Sequence, residues 1–189
     1  MQENSLFHYK KELRKKFKEL RERLPLEDWI EKSRVICRLF LNSSFYLQAK
    51  KIAFYHYVNK EVNVNFILEK AFKEKEVYFP RCHLEERKLS FHKVEDLSEL
   101  IPGTFGIPEP EIKKPQITPQ ELDLILVPGL VFDLNKFRLG YGKGFYDSFL
   151  KETKAVKIGV AFYVQVIDNI PREPHDVKMD YLLTEKGIF

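Results

Sequence analysis

A chain of 189 residues with 44% hydrophobic and 14% aromatic content can bury a core without disulfide or metal staples, and it is too apolar to stay disordered. The two cysteines, Cys37 and Cys82, form no metal-ligand or redox motif, and no apolar run reaches the ~18 residues of a membrane span. The formal charge of +4 is concentrated in residues 1–24, where eight Lys and Arg stand against four Glu and leave the remainder balanced; one element is electropositive, not the whole surface. The start of the chain lacks the apolar core of a signal peptide, so the expectation is a cytoplasmic monomer folded as one domain over residues 1–189.

Residues 5–23 read as a helix, because Leu13, Phe17, Leu20 and Leu24 recur at helical spacing. Lys10, Arg14 and Arg21 fall on a flank of that stripe, whereas Lys11, Lys15 and Lys18 lie nearly opposite. Flank cations can lean over the domain body; Lys10 and Arg14, one turn apart, can clamp one anion. A second helix is predicted over 27–41 and a strand over 51–57. Asn63 then caps a helix that turns Phe66, Ile67, Ala71 and Phe72 inward. Strands follow at 77–80 and, more exposed, at 89–94. Five prolines in residues 101–119 predict an irregular connection. Leu122–Val127 is the clearest central strand, stopped by Pro128-Gly129, and a helix runs through Leu150. Strands at 156–162 and 181–184 complete the chain.

Strands alternating with helices predict a three-layer α/β/α sandwich with a mainly parallel, Rossmann-like sheet. Ligands of such sheets bind beyond the carboxyl ends of the strands. That rule brings residues 56–61 and the segment after Val127 to one edge.

The segment in question is Arg138-Leu-Gly-Tyr-Gly-Lys-Gly-Phe-Tyr-Asp147. Alternate glycines (Gly140, Gly142, Gly144) admit positive φ and let backbone amides converge on an anion. Arg138 and Lys143 add fixed charge, the following helix adds the positive end of its dipole, and Asp147 adds a carboxylate suited to magnesium. The spacing is neither the Walker loop nor the dinucleotide fingerprint. Polyphosphate binding competes here with a plain strand-to-helix turn.

These residues, with Lys10-Lys-Glu-Leu-Arg14, Glu61-Val-Asn, Gly106-Ile-Pro-Glu-Pro110, Val127-Pro-Gly-Leu-Val-Phe-Asp133, Ile158-Gly-Val-Ala-Phe162 with Gln165, and Ile170-Pro-Arg-Glu-Pro-His-Asp176 with Asp180, resemble the 5-formyltetrahydrofolate cyclo-ligase (methenyltetrahydrofolate synthetase) family. The motifs span nearly the whole chain in family order. The resemblance implies an enzyme that uses ATP, with Mg²⁺, to cyclise 5-formyltetrahydrofolate to 5,10-methenyltetrahydrofolate with release of ADP and phosphate. In the family's mechanism the formyl oxygen attacks the γ-phosphoryl group, N10 attacks the activated carbon, and phosphate departs.

Roles carry over by the same resemblance. Lys10, Arg14 and the run Arg138, Leu139, Gly140, Tyr141, Gly142, Lys143, Gly144, Phe145 and Tyr146 bind ATP, with Lys143 and Arg138 catalytic on the moving phosphoryl group. Glu61 accepts from a pterin N–H; His56 and Tyr141 through Phe145 touch the folate. Asp147 and Asp176 hold magnesium. Each residue keeps a plainer reading: Asp147 as a first-turn helix carboxylate, Asp176 as a turn cap or partner of His175, Glu61 as an exposed loop acid, His56 as a strand-end histidine. Arg81 is a further candidate for phosphate or for the folate glutamate tail. Two other functions compete: a non-catalytic nucleotide- or anion-binding relative, and an RNA-binding module using the basic first helix. The second expects stacking aromatics on the basic face, but Phe17 lies on the core stripe. Small-molecule substrates, with neither nucleic acid nor membrane, are the expected partners.

Overall fold

A computed structural model describes the backbone of residues 2–189 and the side chains from Leu6 onward. Helix α1 (Gln2–Glu22) buries Leu13 and Phe17. It is followed by α2 (Leu26–Leu41) and a short α3 (Ser44–Gln48) that periodicity could not reveal; Ser43 caps it, its Oγ accepting from Tyr46 N. Strand β1 (Lys51–Ala53) is shorter than the predicted 51–57: after Phe54 N bonds to Tyr78 O the chain leaves the ladder. In α4 (Asn65–Glu74) Ile67, Leu68 and Ala71 are buried, but Phe66 faces outward under the Arg34 guanidinium. Asn63 acts one step early, its Oδ1 accepting from Asn65 N, while Val64 holds the cap position.

Strands β2 (Glu76–His83) and β3 (Lys88–Lys93) form an antiparallel pair. The expectation of an exposed β3 fails, since Leu89, Ser90, Phe91 and His92 are all buried. The proline-rich segment is less irregular than predicted. It folds as a hairpin of β4 (Leu100–Pro102) and β5 (Pro108–Pro110), then β6 (Gln116–Ile117). That β6 strand pairs with the outer edge of β3, and the later helix carrying Phe149 covers one face of it, Phe149 lying 4.5 Å from Phe91 between ring centres. The chain ends through β7 (Leu124–Pro128), β8 (Val131–Asp133), β9 (Arg138–Leu139), α5 (Phe145–Glu152), β10 (Val156–Val160), β11 (Val166–Ile167), β12 (Tyr181–Thr184) and β13 (Gly187–Ile188).

The main sheet has the order β13-β12-β10-β7-β1-β2-β3-β6, parallel from β12 to β2 and antiparallel at both margins. Pleating sorts its core in two. Ile52, Phe54, Val77, Phe79, Leu124 and Leu126 meet α2, α3 and α4 on one face; Ala53, Tyr78, Ile125 and Val127 meet α5 on the other. This is the predicted three-layer α/β/α sandwich. Because β1 and β7 are neighbours from which the chain winds outward in opposite directions, their carboxyl ends mark the topological switch point. A smaller sheet, β11-β8-β9, packs Val131 and Leu139 against Leu13 and Phe17, which docks α1 beside that switch point.

Candidate active site

Beyond the ends of β1 and β7 lies one open cavity of about 570 Å³. Its lining includes Lys10 and Arg14 of α1, His56 and Glu61 after β1, Phe105 and the start of β5, the whole glycine loop, and Glu173, His175 and Asp176. The segments predicted to converge do converge.

Glu61 is not the exposed loop acid of the plainer reading; it is 4% exposed. It closes a tight turn in which Asn59 and Lys60 both have positive φ (47° and 53°) and Glu61 N donates to Val58 O. Two consecutive residues in the left-handed region are the mark of a type I′ geometry, disfavoured for a lysine and kept only where surroundings over-determine it. Here they do. Arg21 Nε donates to Asn59 O, Lys60 Nζ to Glu22 O and Leu24 O, and Trp29 Nε1 to Glu61 O. The carboxylate accepts from Val58 N at Oε2 and from the Tyr141 hydroxyl at Oε1 (3.0 Å), with Arg21 Nη1 at 3.7 Å. Burial pushes its pKa up; Arg21, the Val58 amide and the Tyr141 hydroxyl pull the other way. His56 lines the same wall, stacked on Tyr57, and burial lowers its pKa.

The glycine loop is built differently. Gly142 and Gly144 take φ of 87° and 73°, and Gly144 caps α5, as the run predicts. Arg14 Nε donates to Gly140 O, and its guanidinium lies so close that a Cβ on Gly142 would meet Cζ at 3.2 Å. The first helix is thus docked on the loop. Lys143 is exposed, its Nζ 3.2 Å from the centre of the Phe105 ring, and it has no carboxylate partner among the described residues. Leu139 is buried and anchors the loop, while Phe145 and Tyr146 sit half-buried at the start of α5, Tyr146 beneath the Arg138 guanidinium.

Arg138 and the acids are already engaged. Arg138 Nη1 donates to Pro128 O and Nη2 to Asp147 Oδ1 at 2.9 Å, whereas its buried Nε has no partner among the described residues. Lys10, 5% exposed, bonds to Glu173 Oε2 (2.6 Å) and Asp176 Oδ2 (3.2 Å). Hence Lys10 is not a free cation. The predicted carboxylate pair is also redistributed: Asp176 clusters with Glu173 and His175, and Asp147, paired with Arg138, lies outside that cluster. Arg81 leaves the site altogether, donating to Pro110 O and facing Glu109, so it braces the β4–β5 hairpin. One residue was missed. Arg21 is fully buried and joins the site through Tyr141, its Nη2 donating to the hydroxyl at 2.6 Å. Its place on the flank with Lys10 and Arg14 was the signal.

A switch-point cavity that joins a glycine-rich, cation-lined loop to a buried carboxylate defines an α/β protein built to hold a polyanion and a polar second ligand together. Known proteins make the class specific. The model of the 5-formyltetrahydrofolate cyclo-ligase family matches residues 7–185. The chain is 30% identical to a mouse 5-formyltetrahydrofolate cyclo-ligase, covering 93% of each chain, and 33% identical to a probable one from Schizosaccharomyces pombe, over 81% and 83%. Among solved structures, Aquifex aeolicus 5,10-methenyltetrahydrofolate synthetase superposes with a TM-score of 0.86 at 36% identity, covering 95% of this chain and 91% of that one. The chain belongs to the 5-formyltetrahydrofolate cyclo-ligase family.

Proposed function

We infer that this chain uses ATP to close 5-formyltetrahydrofolate to 5,10-methenyltetrahydrofolate, releasing ADP and phosphate. The observation that carries the reading is the meeting of the glycine loop, the two α1 cations and the Glu61 carboxylate around one cavity of about 570 Å³, in the size range of small-ligand sites.

A formyl group on nitrogen is a poor electrophile, and its oxygen is a poor leaving group. Attack of that oxygen on the γ-phosphorus breaks the bond to ADP and turns the oxygen into part of a phosphate ester. N10 then attacks the carbon, losing its proton as the ring closes, and the carbon–oxygen bond breaks to release phosphate. The chain needs no covalent nucleophile for this; it must align two ligands and stabilise moving charge. Lys143, unpaired with any carboxylate among the described residues, meets the transferring phosphoryl group by leaving a ring contact of modest strength. Arg14 reaches the phosphates with the guanidinium that already overlies Gly142. Loop amides from Gly140 to Gly144 and the start of α5 supply fixed dipoles. Arg138, stacked on Tyr146 and tied to Asp147, offers a rigid second cation.

Glu61 receives a pterin N–H, and His56, its pKa lowered by burial, shapes the same wall. For magnesium, Asp176 and Glu173 offer hard oxygens at the cavity rim beside His175, all within 4.8 Å, while Asp147, tied to Arg138, offers another outside that cluster. Bound there with ATP, the ion would offset phosphate charge that Lys10, tied to Glu173 and Asp176, cannot offset alone.

The test is the absorbance of methenyl-folate formed from 5-formyltetrahydrofolate. Product is expected with MgATP and not without it; its absence in both arms would overturn the reading. A metal titration of Asp147→Asn and Asp176→Asn should show Mg²⁺ activation shifted to higher concentration.

A further inference from the structure

The cavity contains a connection that neither ligand explains. Arg21 of α1, the Tyr141 hydroxyl of the glycine loop and the Glu61 carboxylate form a continuous chain at 2.6 and 3.0 Å. Arg21 is fully buried, and its Nε and Nη1 donate to Asn59 O (2.8 Å) and Gly129 O (3.4 Å). All three bonds therefore run to the Glu61 turn, the end of β7 and the glycine loop. A guanidinium fork suits this task, since its donors diverge in one plane and each fixes a different segment.

We propose that Arg21 is a positioning residue for folate: acting directly and through Tyr141, it offsets the buried charge of Glu61 and aims its carboxylate into the cavity. This rests on Glu61 being the folate acceptor. The geometry supports it in two ways. An acid so buried is held as an anion only by donors and cations close to it. Those facing Glu61 are Arg21 from α1, the Tyr141 hydroxyl, the Val58 amide and, farther off, Arg138 from β9; Tyr55 after β1 and Tyr146 on α5 present phenols that burial keeps neutral. Arg138 is already committed to Asp147. Arg21 is the cation left to serve the carboxylate. Second, Tyr141 Oη accepts from Arg21 and so must give its own hydrogen to Glu61, which fixes the direction of the chain. Among the described residues Glu61 Oε2 takes only the Val58 amide, so the carboxylate retains acceptor capacity for a ligand.

Glu61 has a raised pKa, which Arg21 and Tyr141 hold down; removing either raises it further. A protonated Glu61 cannot accept from a pterin N–H with full strength. Folate binding should then weaken as pH falls, and the variants should show that loss beginning at higher pH.

The test measures direct binding of 5-formyltetrahydrofolate and of a non-hydrolysable ATP analogue, across pH, for Tyr141→Phe, Arg21→Gln, Arg21→Lys, Glu61→Gln and the Tyr141→Phe/Glu61→Gln double variant. Tyr141→Phe removes one hydroxyl from a half-open loop and should fold even where Arg21→Gln does not. It should weaken folate binding by about tenfold at the acid end of the profile, the scale of a hydrogen bond to a charged group, and by less at the alkaline end. The ATP analogue should lose less than folate does. In the Glu61→Gln background the same substitution should have almost no effect, because the group it serves is gone. Arg21→Lys should keep the acid limb of the folate profile nearer to wild type than Arg21→Gln does. If Tyr141→Phe weakens folate equally in both backgrounds, or at all pH values alike, Arg21 and Tyr141 are packing and the proposal fails while Glu61 keeps its role. If Glu61→Gln binds folate as wild type does, the acceptor reading falls and takes the proposal with it.

Discussion

The turn at residues 58–61 and the loop at 140–144 line one cavity, yet they are held by opposite means. The turn places two non-glycine residues at positive φ, held there by bonds from Arg21 and Trp29, by Lys60 reaching Glu22 O and Leu24 O, and by its own Val58–Glu61 contacts. The loop reaches its positive φ with glycine, and its catalytic candidate, Lys143, rests on nothing firmer than the Phe105 ring. A neutral pterin is recognised by direction, so its acceptor must be fixed beforehand. A polyphosphate spreads charge over many oxygens, and cations that move a little can still meet it. Rigidity and adaptability are divided between the two walls, with Arg21 and Tyr141 as side chains that tie one to the other.

The largest effect that would break this contrast is on turnover. Lys143→Ala should lower kcat about 10³-fold, the scale of one lost electrostatic group at a developing anion. As an exposed side chain without a carboxylate partner among the described residues, it should leave Tm within about 1 °C of wild type. Unchanged turnover would remove its phosphoryl role. Arg21→Met should do the reverse in stability. Leaving the buried Glu61 without its cation costs about 3 kcal/mol, which for a chain of this length is a Tm fall of roughly 9 °C. A calorimetric scan of the two variants side by side tests the contrast: equal Tm values would show that the acceptor wall is no more rigid than the phosphate wall.

Much of this arrangement was legible in the sequence. The helical stripe of α1, the apolar β7 and the glycine run are local patterns, and local patterns carry period and turn chemistry directly. The convergence of residues 56–61 with the glycine loop followed from one topological rule. What stayed hidden depended on contacts remote in sequence. Lys10 looked free until Glu173 and Asp176 folded against it, over 160 positions away. The burial of β3 depends on β6, a two-residue strand inside a proline-rich stretch, along its edge and on Phe149 of α5, far along the chain, over its face. Arg81 turned to the β5 hairpin for the same reason: its acceptor, Pro110 O, lies in a segment with no period to read. Arg21 sat on the right flank, but nothing in its spacing distinguishes a fully buried arginine from a solvated one.

The smallest effect is the sharpest for the loop itself. Gly142 and Gly144 share positive φ, at 87° and 73°, so an alanine at either should cost about 1 kcal/mol of backbone strain. Their surroundings differ. A Cβ at Gly144 meets nothing within 4 Å, whereas at Gly142 it lies 3.2–3.3 Å from the Arg14 guanidinium. Both variants should therefore lose about 3 °C in Tm. Only Gly142→Ala must also push Arg14 off its seat on Gly140 O, because that guanidinium is the atom group a methyl would crowd. Nucleotide KM should rise several-fold more in Gly142→Ala than in Gly144→Ala, with folate KM changing little between them. Equal nucleotide losses would mean that the docking of Arg14 on the loop has no part in ATP binding, and the phosphate wall would then owe its affinity to Lys143, Arg138 and the backbone amides alone.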